Sequence, residues 1–288
     1  MEWDKAKNIV LIFFILLNIG LGVLLFFEHN RYTIGGEQER IIRAVLGQNN
    51  ISMYTSPVRR FPPMRPLNVS GFYYDIDQIK EIFFADPASV IKVEDYHRYH
   101  FTGEDSRLII SNGFIFFDTH RQYGLNDSGR NISSISVQIA QDITRQFVND
   151  KLDDFILDSV FQEEGEVRVV FRQMYRGQVV HSNFVEFFVT EYGIRQVEMQ
   201  FGTILGHGGT SFMIFSPDEV LLTFAQRADV FFHGEPQVII HMDLAYLPEY
   251  MISDQYGTIY PAVPFYRIFV IGFERPFLIN ARTNDILF

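Results

Sequence analysis

The chain of 288 residues reads as an α+β protein: one N-terminal transmembrane helix followed by an extracytoplasmic region of antiparallel sheets, each packed by a helix. Three observations predict this class. An uncharged apolar run, Ile9 to Phe27, has the roughly 20-residue length that crosses a bilayer. Thirty Phe and fourteen Tyr against one Trp form a β-leaning composition, because flat side chains suit half-buried pleated surfaces. Beyond the run, amphipathic helical stretches alternate with groups of short strands, the pattern of a sheet with helices on one face.

The apolar run contains one strongly polar residue, Asn18. Lys5 and Lys7 precede it, and Glu28, His29 and Asn30 follow before Arg31, so the basic-inside rule keeps residues 1–8 cytoplasmic and sends the rest outward. A cleaved signal peptide would end in small residues, whereas Leu24-Leu25-Phe26-Phe27-Glu28-His29 offers a peptidase none, so the run (9–27) is expected to remain as an anchor in the cell membrane. Residues 28–36 read as a linker, 37–130 as a first α+β subdomain, and 131–288 as a second built of two helix-plus-meander units, 133–204 and 216–288.

Ile41, Ile42, Val45 and Leu46 fall at helical spacing, and Gly47 is placed to stop that helix. Prolines 57, 62, 63 and 66 then forbid regular structure in a passage carrying Arg59, Arg60 and Arg65, read as an extended connector with an acidic partner or lipid head groups as its functional alternative. A second helix is expected after Asp75 and ends before Asp86-Pro87. Ser89 to Val93 reads as a strand, His97 to Ser106 as a loop, and Asn112-Gly113 as the turn of a hairpin. The polar stretch 119–131 is the expected boundary.

Ser133 to about Leu152 reads as a helix, followed by strands at 157–161, 167–175, 179–190 and 194–201 separated by turns at Gly165, Gly177 and Gly193. Residues 204–215 read as a glycine-rich bridge. Ser216-Pro217-Asp218-Glu219 is a capping box opening a helix with Val220, Leu221, Phe224, Ala225 and Ala228 on its buried face. Strands are expected at 237–246, 256–261, 265–273 and 276–280.

The net charge of -11 argues against nucleic acid, and the absence of cysteine removes thiol catalysis, thiolate metal sites and disulfides. His97 and His100 lack an HExxH setting, and Gly206-His207-Gly208-Gly209 lacks the Lys-Ser or Lys-Thr of a phosphate loop. His241 and Asp243 share one face of a strand, with no Gly-x-Ser-x-Gly to complete a hydrolase. The acidic neighbours Asp153-Asp154 and Glu163-Glu164 point to opposite faces, poor geometry for shared acid-base work. Four Asn-x-Ser triplets, at Asn50, Asn68, Asn126 and Asn131, read as chance occurrences. No enzyme activity, cofactor or metal is expected.

Two ends of the chain carry a resemblance. Met1-Glu2-Trp3-Asp4-Lys5-Ala6-Lys7, running straight into the apolar stretch, resembles the start of the YycI family, membrane-anchored accessory proteins of the cell-wall-regulating YycG (WalK) sensor kinase of low-GC Gram-positive bacteria. Tyr260-Pro261-Ala262-Val263-Pro264-Phe265-Tyr266-Arg267-Ile268 with Pro276-Phe277-Leu278-Ile279-Asn280-Ala281 resembles the last strands of the PepSY-like modules of that group. The resemblance implies a single-pass regulator of a YycG/WalK-type sensor histidine kinase that works with a YycH-like protein, and it brings no catalytic residues. An extracellular peptidase inhibitor or chaperone of PepSY-like type is the alternative. Within the bilayer, Asn18, Gly20 and Gly22 are the expected partner contacts, since small residues admit a neighbouring helix and an amide in hydrocarbon seeks a hydrogen bond.

Overall fold

The computed structural model describes all residues except 1, 72–74, 85, 96–97, 112, 120–136, 153, 201, 249–258 and 288. Expectations for the 119–131 boundary, Asn112, His97, Asp153, Asn126, Asn131 and the start of the 133–152 helix therefore fall largely or wholly outside the described residues, as does the side chain of Ala228. The fold is α+β, with a large and mostly antiparallel sheet and few helices.

The chain divides into two compact units assembled from separated stretches: residues 1–64, 213–243 and 266–288 form one, and 65–212 with 244–265 form the other. This differs from the division into 37–130 and 131–288 read along the sequence. The reason is hydrogen bonding between strands distant in sequence, which periodicity does not reveal: β6 (Phe114–Thr119) pairs with β10 (Gly193–Gln200), for example Phe117 with Val197.

In the first unit α1 (Glu2–Arg31) is one continuous helix. Residues 2–8 of the expected cytoplasmic segment and the first part of the 28–36 linker are thus helical, because a formed helix propagates readily through residues that carry no Gly or Pro. α2 (Gly36–Gln48) follows and buries Ile42 and Leu46. β1 (Ile51–Met53), unforeseen in the sequence, runs parallel to β12 (Gln237–Pro248) with Ile51 opposite Gln237. α5 (Pro217–Gln226) opens as expected: the Glu219 carboxylate accepts from the Ser216 amide at 2.8 Å and from its hydroxyl at 2.7 Å. Its face of Val220, Leu221, Phe224 and Ala225 is buried. α6 (Ala228–Phe232) adds Phe231 and Phe232, which cluster with Phe224, Phe273 and Phe277 at centroid separations of 5.2 to 6.4 Å. β13 (Ile259–Val270) joins what the sequence suggested as two strands. Its residues from Ala262 to Ile268 are buried, and that burial outweighs the two donors lost at Pro261 and Pro264. β14 (Phe277–Asn280) and β15 (Ile286–Leu287) close this unit as a small antiparallel pair.

The second unit is ordered around β7 (Phe155–Glu163), β8 (Glu166–Tyr175), β9 (Gln178–Thr190) and β10, the meander expected from the alternation. Its turns sit at Gly165, Gly177 and Gly193, with φ of 81°, 83° and 108°, the left-handed region that glycine enters without steric cost. The sheet continues from β10 through β6 and β5 (Ser106–Ser111) to β4 (Arg98–Thr102) and β3 (Ile91–Asp95). Residues 98–102, read as loop, form β4: Tyr99 and Phe101 alternate with Arg98, His100 and Thr102, and Phe101 packs opposite Leu108 while 1% exposed. On the other side of β9 lie the later part of β12, the earlier part of β13, β2 (Leu67–Ser70) and β11 (Ile204–His207), the last two unforeseen. α3 (Ile76–Phe83) is capped by Asp75, whose carboxylate accepts from the amides of Asp77 and Gln78, and α4 (Val137–Lys151) lies with it over the sheet. Phe83, Phe147, Phe117, Phe171 and Phe187 interlock beneath them, with Phe83 and Phe117 stacked at 4.6 Å.

Candidate functional site

Asn18, Gly20 and Gly22 lie on α1, where every described side chain from Val10 to Leu25 is exposed; Leu24 reaches 68% exposure. Exposed apolar patches of this size are rare on soluble monomers and mark interaction surfaces. The Asn18 amide donates to the Phe14 carbonyl one turn back at 2.7 Å, so its polarity is satisfied inside the helix. Asn18 and Gly22 are one turn apart on one side and Gly20 stands away from them; among the described residues nothing beyond the helix's own backbone lies within 4 Å of where a Cβ would sit on either glycine. Among the described residues no helix is long and apolar enough to cross a membrane.

The pair suggested by strand spacing, His241 and Asp243, is formed on β12, with Nε2 and Oδ2 at 3.3 Å. The sequence reading missed the third member. Arg267 on β13, 1% exposed, holds Asp243 in a bidentate grip, Nε to Oδ1 at 2.8 Å and Nη2 to Oδ2 at 2.6 Å. Burial by itself would raise the Asp243 carboxyl, but the hydrogen bonds from Arg267 and His241 prevail and hold it near 2. The guanidinium also lies over Phe269, whose ring is 5.5 Å from that of His241. A carboxylate held so firmly as an anion is a poor proton acceptor at neutral pH, which makes the cluster a structural clamp between β12 and β13. Arg267 was legible: a lone cation within a strand of buried apolar residues requires a buried anion.

Gly206-His207-Gly208-Gly209 is not a free bridge. Residues 204–207 pair with β2, the Gly208 amide donates to the Pro66 carbonyl at 2.9 Å, and the His207 ring sits between those of Tyr175 and Tyr246 at 5.6 and 5.9 Å. Burial pushes the Tyr246 phenol up to about 12, with the neighbouring Tyr175 adding to the rise, and that phenol donates to the Arg65 carbonyl. His100 lies mid-strand opposite Ile109, and Glu163 pairs across the hairpin with Glu166. Among the described residues no group of three His, Asp or Glu side chains is arranged to hold a metal ion.

One feature of the meander escaped the sequence reading altogether. The face of the meander opposite α4 carries three charge pairs: Arg172 with Asp158 at 2.9 Å, Arg168 with Glu186 at 3.1 Å and Arg195 with Glu166 at 2.7 Å. Each guanidinium also covers an aromatic ring, respectively Phe184, Phe161 and Phe188. Only the strand register brings each cation to its anion.

No protein-family model matches the chain, and no curated protein sequence matches it. Solved structures are similar to it in fold. An uncharacterized protein from Eubacterium rectale aligns over 83% of this chain and 91% of its own at 10% identity, with a TM-score of 0.52. The C-terminal domain of Bacillus megaterium YpeB covers 75% of this chain and 96% of its own at 10% identity and a TM-score of 0.42. YycH from Bacillus subtilis aligns over 78% of this chain and 56% of its own at 14% identity and a TM-score of 0.45. The first likeness is one of fold alone, and the two fainter ones carry no functional weight.

Proposed function

We propose that the protein is a membrane-anchored regulator of a cell-wall-controlling sensor histidine kinase of the YycG/WalK type, acting by protein contacts in and outside the bilayer together with a YycH-like partner, and not an enzyme. The observation that carries this reading is α1, a 30-residue helix whose apolar side chains from Val10 to Leu25 are all exposed among the described residues. Such a helix has a use only beside lipid or other helices. The resemblance of residues 1–7 and 260–281 to the YycI family supports the choice of partner. In this reading the N-terminus is cytoplasmic and the remainder lies outside the cell. Purifying the full-length chain from native membranes with the kinase tests the proposal; absence of the kinase under conditions that retain the anchor in the membrane overturns it.

A second reading, an extracellular peptidase inhibitor or chaperone of PepSY-like type, is favoured by β3. Ile91–Asp95 is exposed at all five positions and, among the described residues, pairs only with β4, leaving an edge open to an extended peptide. Inhibition of an exported protease by the full-length chain in detergent would select this reading.

A further inference from the structure

The proline-rich passage with its basic residues, unassigned by the functional reading, is tied to the foot of α1. The amide of Ile34 donates to the Arg59 carbonyl at 2.9 Å, the amide of Phe61 donates to the Tyr32 carbonyl at 3.1 Å, and Thr33 bridges antiparallel to Arg60. These bonds bring the adjacent pair Arg59 and Arg60 beside the segment that follows Arg31, and all three arginines are exposed. Beneath them Tyr32 and Phe61 meet edge to face at 6.2 Å, and the Arg31 guanidinium lies 5.6 Å from the Tyr32 ring centre. Three arginines make this a basic locus within a chain of net charge -11; the nearby Glu39, paired with Arg43 at 2.8 Å, also feels Arg59.

Position along the helix decides what this collar meets. Arg31 lies four residues past Phe27, the end of the apolar run, or about 6 Å at the rise of an α-helix. That is the depth of lipid head groups, where amphipathic aromatic rings concentrate and a long arginine side chain reaches phosphate. We propose that Arg31, Tyr32, Arg59, Arg60 and Phe61 form a collar that binds anionic phospholipid head groups and seats the outer region against the bilayer. This rests on α1 spanning the membrane. The same charge distribution gives the collar an orienting role, since the acidic remainder is repelled by the surface that attracts it.

The chain has no cysteine, so Pro62→Cys, at an exposed position within the collar, accepts a single spin label. The labelled full-length protein is placed in nanodiscs of phosphatidylcholine alone or of equal parts phosphatidylcholine and phosphatidylglycerol, each with a nickel-chelating lipid. The expected result is stronger relaxation of the label in the anionic discs, abolished by high salt. Arg59→Gln with Arg60→Gln removes this dependence: each cation contributes about fivefold and the pair roughly thirtyfold to the ratio of docked to undocked collar. The bridge itself is made by backbone groups and survives the substitutions. Equal relaxation in both lipids, or a double variant indistinguishable from the parent, overturns the proposal. Alkaline washing of both proteins in vesicles separates the two ideas: retention without lipid dependence removes the collar alone, whereas release removes the anchor and the collar with it.

Discussion

The Asp243–Arg267 clamp offers the sharpest test of the packing argument. Arg267 is 1% exposed and its Nε and Nη2 both point at Asp243, so Asp243→Asn keeps the shape of the side chain while taking the anion from beside a buried cation. Removing one partner of a buried pair costs about 3 kcal/mol or more, because the remaining charge stays desolvated. A pH dependence follows from the same contact. The Asp243 carboxyl is held near 2, below its ordinary 3.8, so its contribution is fully present above about pH 4 and is lost as pH falls through about 2. A shift of that size corresponds to about 2 kcal/mol. Urea unfolding of the full-length chain in mild detergent, followed by near-ultraviolet circular dichroism at pH 7 and across the acid range, measures both effects. Asp243→Asn is expected to unfold at lower urea at pH 7 and to lose less stability than the parent between pH 4 and 2. A double variant, Asp243→Leu with Arg267→Met, is expected to recover most of the loss, since no buried charge is then left alone. A loss under about 1 kcal/mol in the single variant, or an unchanged acid profile, would refute the assignment of the pair as a buried clamp.

Three further outcomes test other levels of the structure. Gly202→Ala places a Cβ 2.4 Å from the Ser70 carbonyl oxygen and is expected to lower stability by about 2 kcal/mol, whereas Gly208→Ala meets only the Asn68 side chain, which can turn away, and should cost less than half of that; comparative denaturation checks the order. Ser216→Ala removes a hydroxyl bonded to Glu219 at the start of α5 and is expected to cost about 1 kcal/mol, read as a lowered melting temperature. In α1, Asn18→Leu with Gly22→Leu should leave membrane insertion intact and reduce recovery of the partner; unchanged recovery would make α1 a plain anchor, in keeping with the Asn18 bond to Phe14.

Local chemistry was legible where the sequence carried a local instruction. The apolar run became one helix, the box at Ser216 and Glu219 capped α5, Asp75 capped α3, and glycines at 165, 177 and 193 made the turns of a four-strand meander. Each depends on groups a few residues apart, so spacing alone specifies it. The pairing of His241 with Asp243 followed in the same way from the two-residue repeat of a strand.

Tertiary structure decided what required partners far along the chain. Residues 98–102 became a strand because β5 waits to pair with them, 259–270 became one strand because burial prevails over its prolines, and two compact units arose from interleaved segments. The anion for Arg267 and the partner segment for residues 32–34 are likewise set by register, at separations where side-chain spacing in the sequence says nothing. By itself, then, the sequence determined the long apolar helix, the α+β class and many of the element boundaries. The fold alone determined which charges meet, because strand pairing brings together residues whose distance along the chain imposes no constraint on their distance in space.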